Sequence, residues 1–165
     1  MNFTDAIAFL EKEVPNPSAG LPDELFYYIS KTTPLVNVDL LIKDENGRIL
    51  LAWREDPIAG IGWHIPGGII RFKETFAERV QKVAQLELGV DSIQHDPTPL
   101  ALNQLILDDH EIRGHFISIL YNCSLPETFI PENRGIFNTD PGYLMWHDTC
   151  PDNLLKVQNI YKDFL

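Results

Sequence analysis

The stretch from Gly62 to Val90, GWHIPGGIIRFKETFAERVQKVAQLELGV, decides how the rest of the chain is to be read. A Pro66-Gly67-Gly68 turn follows a short apolar run, and a segment with helical spacing continues to Gly89. Two adjacent glycines let backbone come close to a ligand, because neither has a Cβ and both tolerate positive φ. Such a turn supplies half of a phosphate or metal site, and side chains on the following helix supply the other half. Glu74, Glu78 and Lys82 recur every four residues and line one stripe. Phe76, Val80, Val83 and Ala84 fall on another stripe at core-facing spacing. The spacing predicts a helix with one buried and one charged side.

Upstream, Pro34 to Lys43 and Arg48 to Arg54 are apolar, β-branched-rich runs joined by Asp44-Glu45-Asn46-Gly47. An Asn-Gly pair between two such runs predicts a hairpin, here at the centre of a sheet. Asp39 is an acid inside an otherwise apolar strand, and an unpaired buried carboxylate is costly enough to demand a partner. It serves either as a structural acceptor or as a substrate contact. Downstream, Pro99 to Leu107 and His115 to Leu125 read as strands split by the turn DDHEIRG, where His110, Arg113 and His115 cluster. Histidines in such a turn are expected to be solvated. Phe129 to Gly142 reads as a long loop and Tyr143 to His147 as a short strand. Pro151 to Leu165 is expected to be a closing helix, with Leu154, Leu155, Val157, Ile160, Tyr161 and Phe164 on its apolar face.

Two further helices are expected before the first strand, Asn2 to Val14 with Thr4 as N-cap and Asp23 to about Ser30, packed on the domain or on a twin subunit. Strands, one signature helix, more strands and a last helix imply a mixed sheet with helices on both faces.

At 165 residues, 44% hydrophobic and 22% charged, the chain suits one domain with a sizeable core. A net charge of −11 argues against affinity for nucleic-acid polymers or anionic membranes, which draws on Lys and Arg. A small anion can still bind through a few local cations and a metal. Cys123 and Cys150 show no metal-ligand spacing and read as reduced thiols. Asp5, Glu11 and Glu13 stand where a basic leader would lie, and no apolar run approaches the roughly 20 residues that span a bilayer. A soluble, cytoplasmic protein is expected.

These residues resemble the Nudix hydrolases, whose signature reads G-x5-E-x7-R-E-U-x-E-E-x-G-U with U a bulky apolar residue. Laid on this chain, the signature falls on Gly68, Glu74, Lys82 for its Arg, Glu87, Gly89 and Val90. Two of its Glu positions hold Val83 and Leu86, and the apolar slot holds Ala84, so of three carboxylates that would surround a hard cation Glu87 remains. The run TTPLVNVDLLIKDENGRILLAWRE, the GWHIPGG turn, the signature helix and the RGHF segment are similar to the GDP-mannose mannosyl hydrolase branch, whose box is similarly reduced.

The resemblance implies an α/β fold, a Nudix-type α/β/α sandwich with a mixed central sheet, in residues 34–165, preceded by an N-terminal helical extension, 1–33. It implies magnesium, or manganese, on Glu87 and the Gly67 carbonyl, with Glu74 supporting the metal shell. Asp39 would contact substrate, and Arg54 and Lys82 would carry positive charge to the diphosphate, unless Lys82 pairs with Glu78. Trp63 and Phe116 are candidate aromatic walls for a base or sugar. Two positions depart from the branch: Ile69 replaces a second Arg, and the base histidine would fall near Pro141. Asp140 beside it is the candidate base, with His147 and His115 as others. The implied activity is hydrolysis of a small-molecule nucleoside diphosphate sugar by a homodimer. A pyrophosphatase that cuts between phosphates and a nucleotide-sugar binding module stay open.

Overall fold

The computed structural model describes residues 2–165. Helix α1 (Phe3–Glu13) is capped by Asn2 rather than Thr4: the Asn2 side chain accepts from the Asp5 N–H while Asp5 accepts from the Asn2 N–H. A short 3₁₀ turn (Pro17–Ala19) leads to α2 (Asp23–Thr32). No described residue of α1 is buried, and α2 buries only Ser30. The segment between the helices is nevertheless fixed, since Ser18 Oγ donates to the Phe72 carbonyl at 2.8 Å and Arg71 Nη1 to the Ala19 carbonyl at 2.6 Å.

Strands β1 (Leu35–Ile42) and β2 (Ile49–Asp56) form where the apolar runs predict them. The turn between them also forms: Gly47 takes φ 79°, and Asp44 accepts from the Asn46 and Arg48 N–H groups and from Arg48 Nε. The expected hairpin ladder does not follow. Beyond a single bridge, Lys43 to Ile49, the strands diverge into two sheets. In the first, β1 lies between β4 (Gly67–Ile69, antiparallel) and β7 (His115–Ser124, parallel). Strands β5 (Gln94–His95) and β6 (Ala101–Ile106) pair antiparallel with different parts of β7. In the second, β2 lies between β3 (Gly60–His64) and β8 (Leu144–His147). Apolar burial on both faces of β1 and β2 outweighs the local turn preference, because each strand gains a neighbour on both edges, β4 and β7 for β1 and β3 and β8 for β2.

Period-two alternation divides β1 between two cores. Val38, Leu40 and Ile42 meet Val80, Val83, Ala84 and Leu88 of the signature helix, while Leu41 faces Leu51, Trp63, Ile65, Leu120 and Tyr161. Each fully buried aliphatic side chain contributes about 1.5–3 kcal/mol, so these two clusters dominate stability. Asp39 stands on the same face as Leu41. Helix α3 (Phe76–Val83) opens with a capping box between Thr75 and Glu78, which is where Glu78 is engaged. Phe76, assigned by spacing to the core, is exposed in that first turn.

A π-helical turn (Ala84–Leu88) extends α3 and closes at Gly89, φ 69°, whose N–H donates to the Ala84 carbonyl. Leu86 then faces solvent, and Glu87 turns inward beneath β4. The C-terminal helix is 3₁₀ and spans Lys156–Phe164, not Pro151 onward. Residues 153–155 instead run beside β3, where Trp63 N donates to the Asn153 carbonyl and Leu155 N to the Trp63 carbonyl. With α3 on one face and the C-terminal helix on the other, the layers are α/β/α. Among the described residues no helix is long and apolar enough to cross a membrane.

Candidate active site

A cavity of about 200 Å³ opens on the Asp39 face of β1. Its floor carries Asn37 and Asp39 of β1, Phe116 and Ser118 of β7 and Gly67 to Ile69 of β4. Arg54, Ile58 and His64 line one wall, and Leu105, Leu107, His110 and Arg113 another. Leu155, Val157, Gln158 and Ile160 close the C-terminal side.

Asp39 and Gly67 oppose each other across the narrow, non-hydrogen-bonded position of the antiparallel ladder, between the Leu40 N to Pro66 O and Ile70 N to Val36 O bonds. A Cβ on Gly67 would collide with Asp39 Oδ1. This is the close approach that requires glycine here. The same register points the Gly67 N–H and C=O away from β1, leaving the carbonyl outside that ladder. The Gly67 N–H donates to Glu87 Oε1 at 3.4 Å, so two carboxylates flank one glycine.

Both carboxylates are shifted upward. Burial raises Asp39 to about 6, although hydrogen bonds from Tyr161 and Asn37 and the Arg54 charge oppose it. Burial raises Glu87 to about 7; the Gly67 N–H and Arg54 hold it down, and the nearby Asp39 charge adds to the rise. Asp39 is fixed by the Tyr161 hydroxyl and by Asn37 Nδ2 at 2.7 Å, and Ser118 Oγ holds Asn37 in turn at 2.9 Å. Burial, then the Arg54 charge, lowers His64 to about 4, so its ring is neutral; its Nδ1 lies 2.8 Å from the Ile65 carbonyl.

This donor set suits a divalent cation bound by oxygen. Buried carboxylates whose ionised forms lack a full cationic partner are stabilised by a hard cation, and the free Gly67 carbonyl adds a neutral oxygen. Among the described residues no group of three or more His, Cys, Asp or Glu side chains is placed to hold a metal. Protein ligands would therefore be few, with water and substrate oxygens completing the shell, the usual arrangement for magnesium.

Of the residues singled out in the sequence, Asp39, Arg54, Gly67 and Phe116 line the cavity, and Glu87 lies behind Gly67. Four others lie elsewhere. Glu74, expected at the metal shell, pairs with Arg79 Nη2 at 2.6 Å and accepts from the Arg71 N–H. Lys82 is exposed and makes no ion pair among the described residues, including none with Glu78. Trp63 is buried in the second core, edge-on to Trp53 and His147, because its strand pairing turns the ring inward. Asp140 accepts from the Phe137 N–H at 2.7 Å within its own loop and does not line the cavity. Of the other candidate bases, His147 lies in that core and His115 sits beside Gln104.

Several residues that line the cavity or stand behind it escaped the sequence reading. His110, expected to be solvated, reaches the Ile58 carbonyl with Nε2 at 3.0 Å. Asn37 and Ser118 carry a visible signal, polar residues at the inward positions of apolar strands. Tyr161 and Gln158 carried none, since an apolar periodic stripe does not tell a core tyrosine from one that holds a carboxylate.

The match to known proteins agrees with this architecture. A family model described as NUDIX domain matches residues 33–144. The low-salt glycan biosynthesis protein Agl8 of Haloferax volcanii is 39% identical over 79 residues, 48% of this chain and 50% of that protein, so the match spans about half the length of that relative. The MutT NUDIX hydrolase of Burkholderia pseudomallei superposes with a TM-score of 0.60 at 26% identity, covering 81% of this chain and 98% of that one. A UDP-X diphosphatase superposes with a TM-score of 0.55 at 20% identity, covering 96% of this chain and 75% of that one, a likeness of fold.

Proposed function

The chain belongs to the NUDIX domain family, and from that premise we propose that it is a divalent-cation-dependent hydrolase of a nucleoside diphosphate sugar. The observation that carries this reading is the pair of desolvated carboxylates, buried Asp39 and half-buried Glu87, on either side of Gly67, with Arg54 close enough to act on both. Magnesium, or manganese in its place, would neutralise diphosphate charge and steady the leaving oxygen. Glu87 and the Gly67 carbonyl hold the cation. Asp39, kept in place by Tyr161 and Asn37, orients the group beyond the phosphates or the attacking water. Arg54 donates to a phosphoryl oxygen with the N–H groups that Asp56 leaves free. Phe116, Leu105 and Leu107 supply the apolar wall that excludes bulk water.

The sugar half of the proposal is supported by the partial likeness to a glycan biosynthesis protein and by the GDP-mannose mannosyl hydrolase-like sequence around the signature. In this reading residues 34–165 form the catalytic unit, 1–33 form an extension, and the enzyme works as a cytoplasmic homodimer. Incubating a panel of nucleoside diphosphate sugars in oxygen-18 water, with and without magnesium, tests it. Label in free sugar means attack on the anomeric carbon; label in phosphate means a pyrophosphatase. Turnover that persists in excess chelator would sink the metal assignment.

The absence, among the described residues, of a three-acid metal cluster favours one second reading, a module that binds a nucleotide sugar without hydrolysing it. Tight binding with no label in either product would select it.

A further inference from the structure

Two guanidiniums meet one carboxylate oxygen at the rim of the cavity. Arg54 Nη2 and Arg113 Nη1 donate to the same Asp56 Oδ2, at 2.9 and 3.1 Å. The other oxygen, Asp56 Oδ1, accepts from the Ile58 and Ala59 N–H groups, both at 2.8 Å. Burial works to raise Asp56, but those N–H groups and the Arg113 guanidinium overcome it and hold the carboxyl well below the usual range. Asp56 is therefore an anion, and two guanidiniums share it at the cavity rim.

Arg113 is not placed there by chance of rotamer. Its backbone takes φ 56°, a left-handed conformation that costs free energy in any residue with a Cβ. The turn that imposes it is closed by the Leu107 N to Gly114 O and His110 N to Leu107 O bonds. His110 ties the turn to the Asp56 loop through the Ile58 carbonyl. Among the described residues Arg113 Nε is buried without a partner, although a buried donor left unpaired is costly. Arg113 lines the cavity with a side chain that is only partly covered, and a planar fork anchored through Nη1 on Asp56 suits an oxyanion.

We propose that Arg113 is a substrate-binding, specificity-determining residue: Arg54 and Arg113, spaced by their shared Asp56, grip successive phosphoryl groups of a nucleoside diphosphate, and Arg113 is what distinguishes it from a monophosphate. The inference rests on the nucleotide reading of this cavity and deepens it. It also gives a role to a cation supplied by the 107–114 turn, whereas Lys82 of the signature helix does not reach the cavity.

Calorimetric titration of the full chain with ADP, GDP and UDP, each against its monophosphate, tests the assignment. The wild-type protein is expected to favour at least one diphosphate by tenfold or more. Arg113→Gln should lose at least tenfold in affinity for that diphosphate and less than twofold for the monophosphate, collapsing the ratio. Arg113→Lys should recover part of it, since it restores charge without the fork. A purely structural role would weaken both ligands equally and leave the ratio intact, which overturns the proposal. If Arg113→Gln does not fold, an unchanged ratio in Arg113→Lys overturns it equally. A wild-type preference that survives in both variants removes this inference alone, while a wild-type protein that binds none of the six nucleotides removes the nucleotide reading as well.

Discussion

The carboxylate of Asp39 occupies the space that a side chain on Gly67 would fill. An acid is thus admitted to the middle of an apolar sheet because its neighbour across the ladder has no Cβ, and the same glycine turns its N–H to Glu87. Replacing Gly67 by Ala forces Asp39 or strand β4 to move. Overpacking of this kind costs about 1–3 kcal/mol. Turnover is expected to fall by at least tenfold, about 1.4 kcal/mol of barrier. Steady-state kinetics and a thermal melt measure both effects, and a Gly67→Ala protein with wild-type kinetics would show that the Asp39 position is irrelevant to chemistry.

The Glu74–Arg79 pair, at 2.6 Å, fixes the loop between the glycine turn and α3, with Arg79 among the buried residues. Removing one partner of a buried pair strands the other and typically costs about 3–5 kcal/mol, more than any exposed lysine contributes. Arg79→Ala should therefore lower the melting temperature markedly, and Lys82→Ala should leave it near wild type. Equal melts for the two variants would contradict this ranking.

Sequence and structure part company where long-range packing decides. The resemblance to the family signature picked out Gly68, Glu74 and Glu87, but Glu74 meets Arg79 and the Arg71 N–H rather than the metal shell expected for it. The signature assigned the family's Arg to Lys82, yet the guanidinium that meets Glu74 comes from Arg79, three residues earlier on the helix. Spacing along a helix finds side chains on one face but not which of them the neighbouring loop approaches. The DENG turn was legible for the same local reason that its hairpin was not: Asp44 and Gly47 shape four residues, whereas β7, more than seventy residues on, decides what β1 pairs with. Arg113 was visible as a charge, but its link to Asp56 depends on two loops meeting.

Asp140, chosen by its proximity to Pro141, is expected to be dispensable for catalysis. Its carboxylate caps Phe137 in a surface loop, and the amide oxygen of an Asn there can still accept that bond, so the melt should change little. Asp140→Asn is predicted to keep kcat and KM within twofold. A drop of a hundredfold or more in kcat, with the melt unchanged, would restore Asp140 as a catalytic group.

The last prediction links Glu87 to pH and metal. In the metal-free protein Glu87 titrates at about 7 against its usual 4.5, so the fold favours the protonated acid. Its stabilising contribution is complete below about pH 4.5 and is lost as pH rises through about 7. At 1.36 kcal/mol per pKa unit the loss is on the order of 3 kcal/mol. Asp39, raised from 3.8 to about 6, acts in the same direction over a lower window. His64, lowered to about 4, acts in the opposite sense below about pH 6.5, so metal-free protein should melt at a lower temperature at pH 8 than at pH 6.5. A cation binds the ionised acid, so magnesium affinity should climb about tenfold per pH unit below 7 and level off above it. Magnesium then raises the melting temperature more at pH 8 than at pH 6. Glu87→Gln has no carboxyl to titrate: it should be more stable than wild type at pH 8 without metal, and largely indifferent to magnesium. A variant that still gained as much as wild type from magnesium would move the cation away from Glu87.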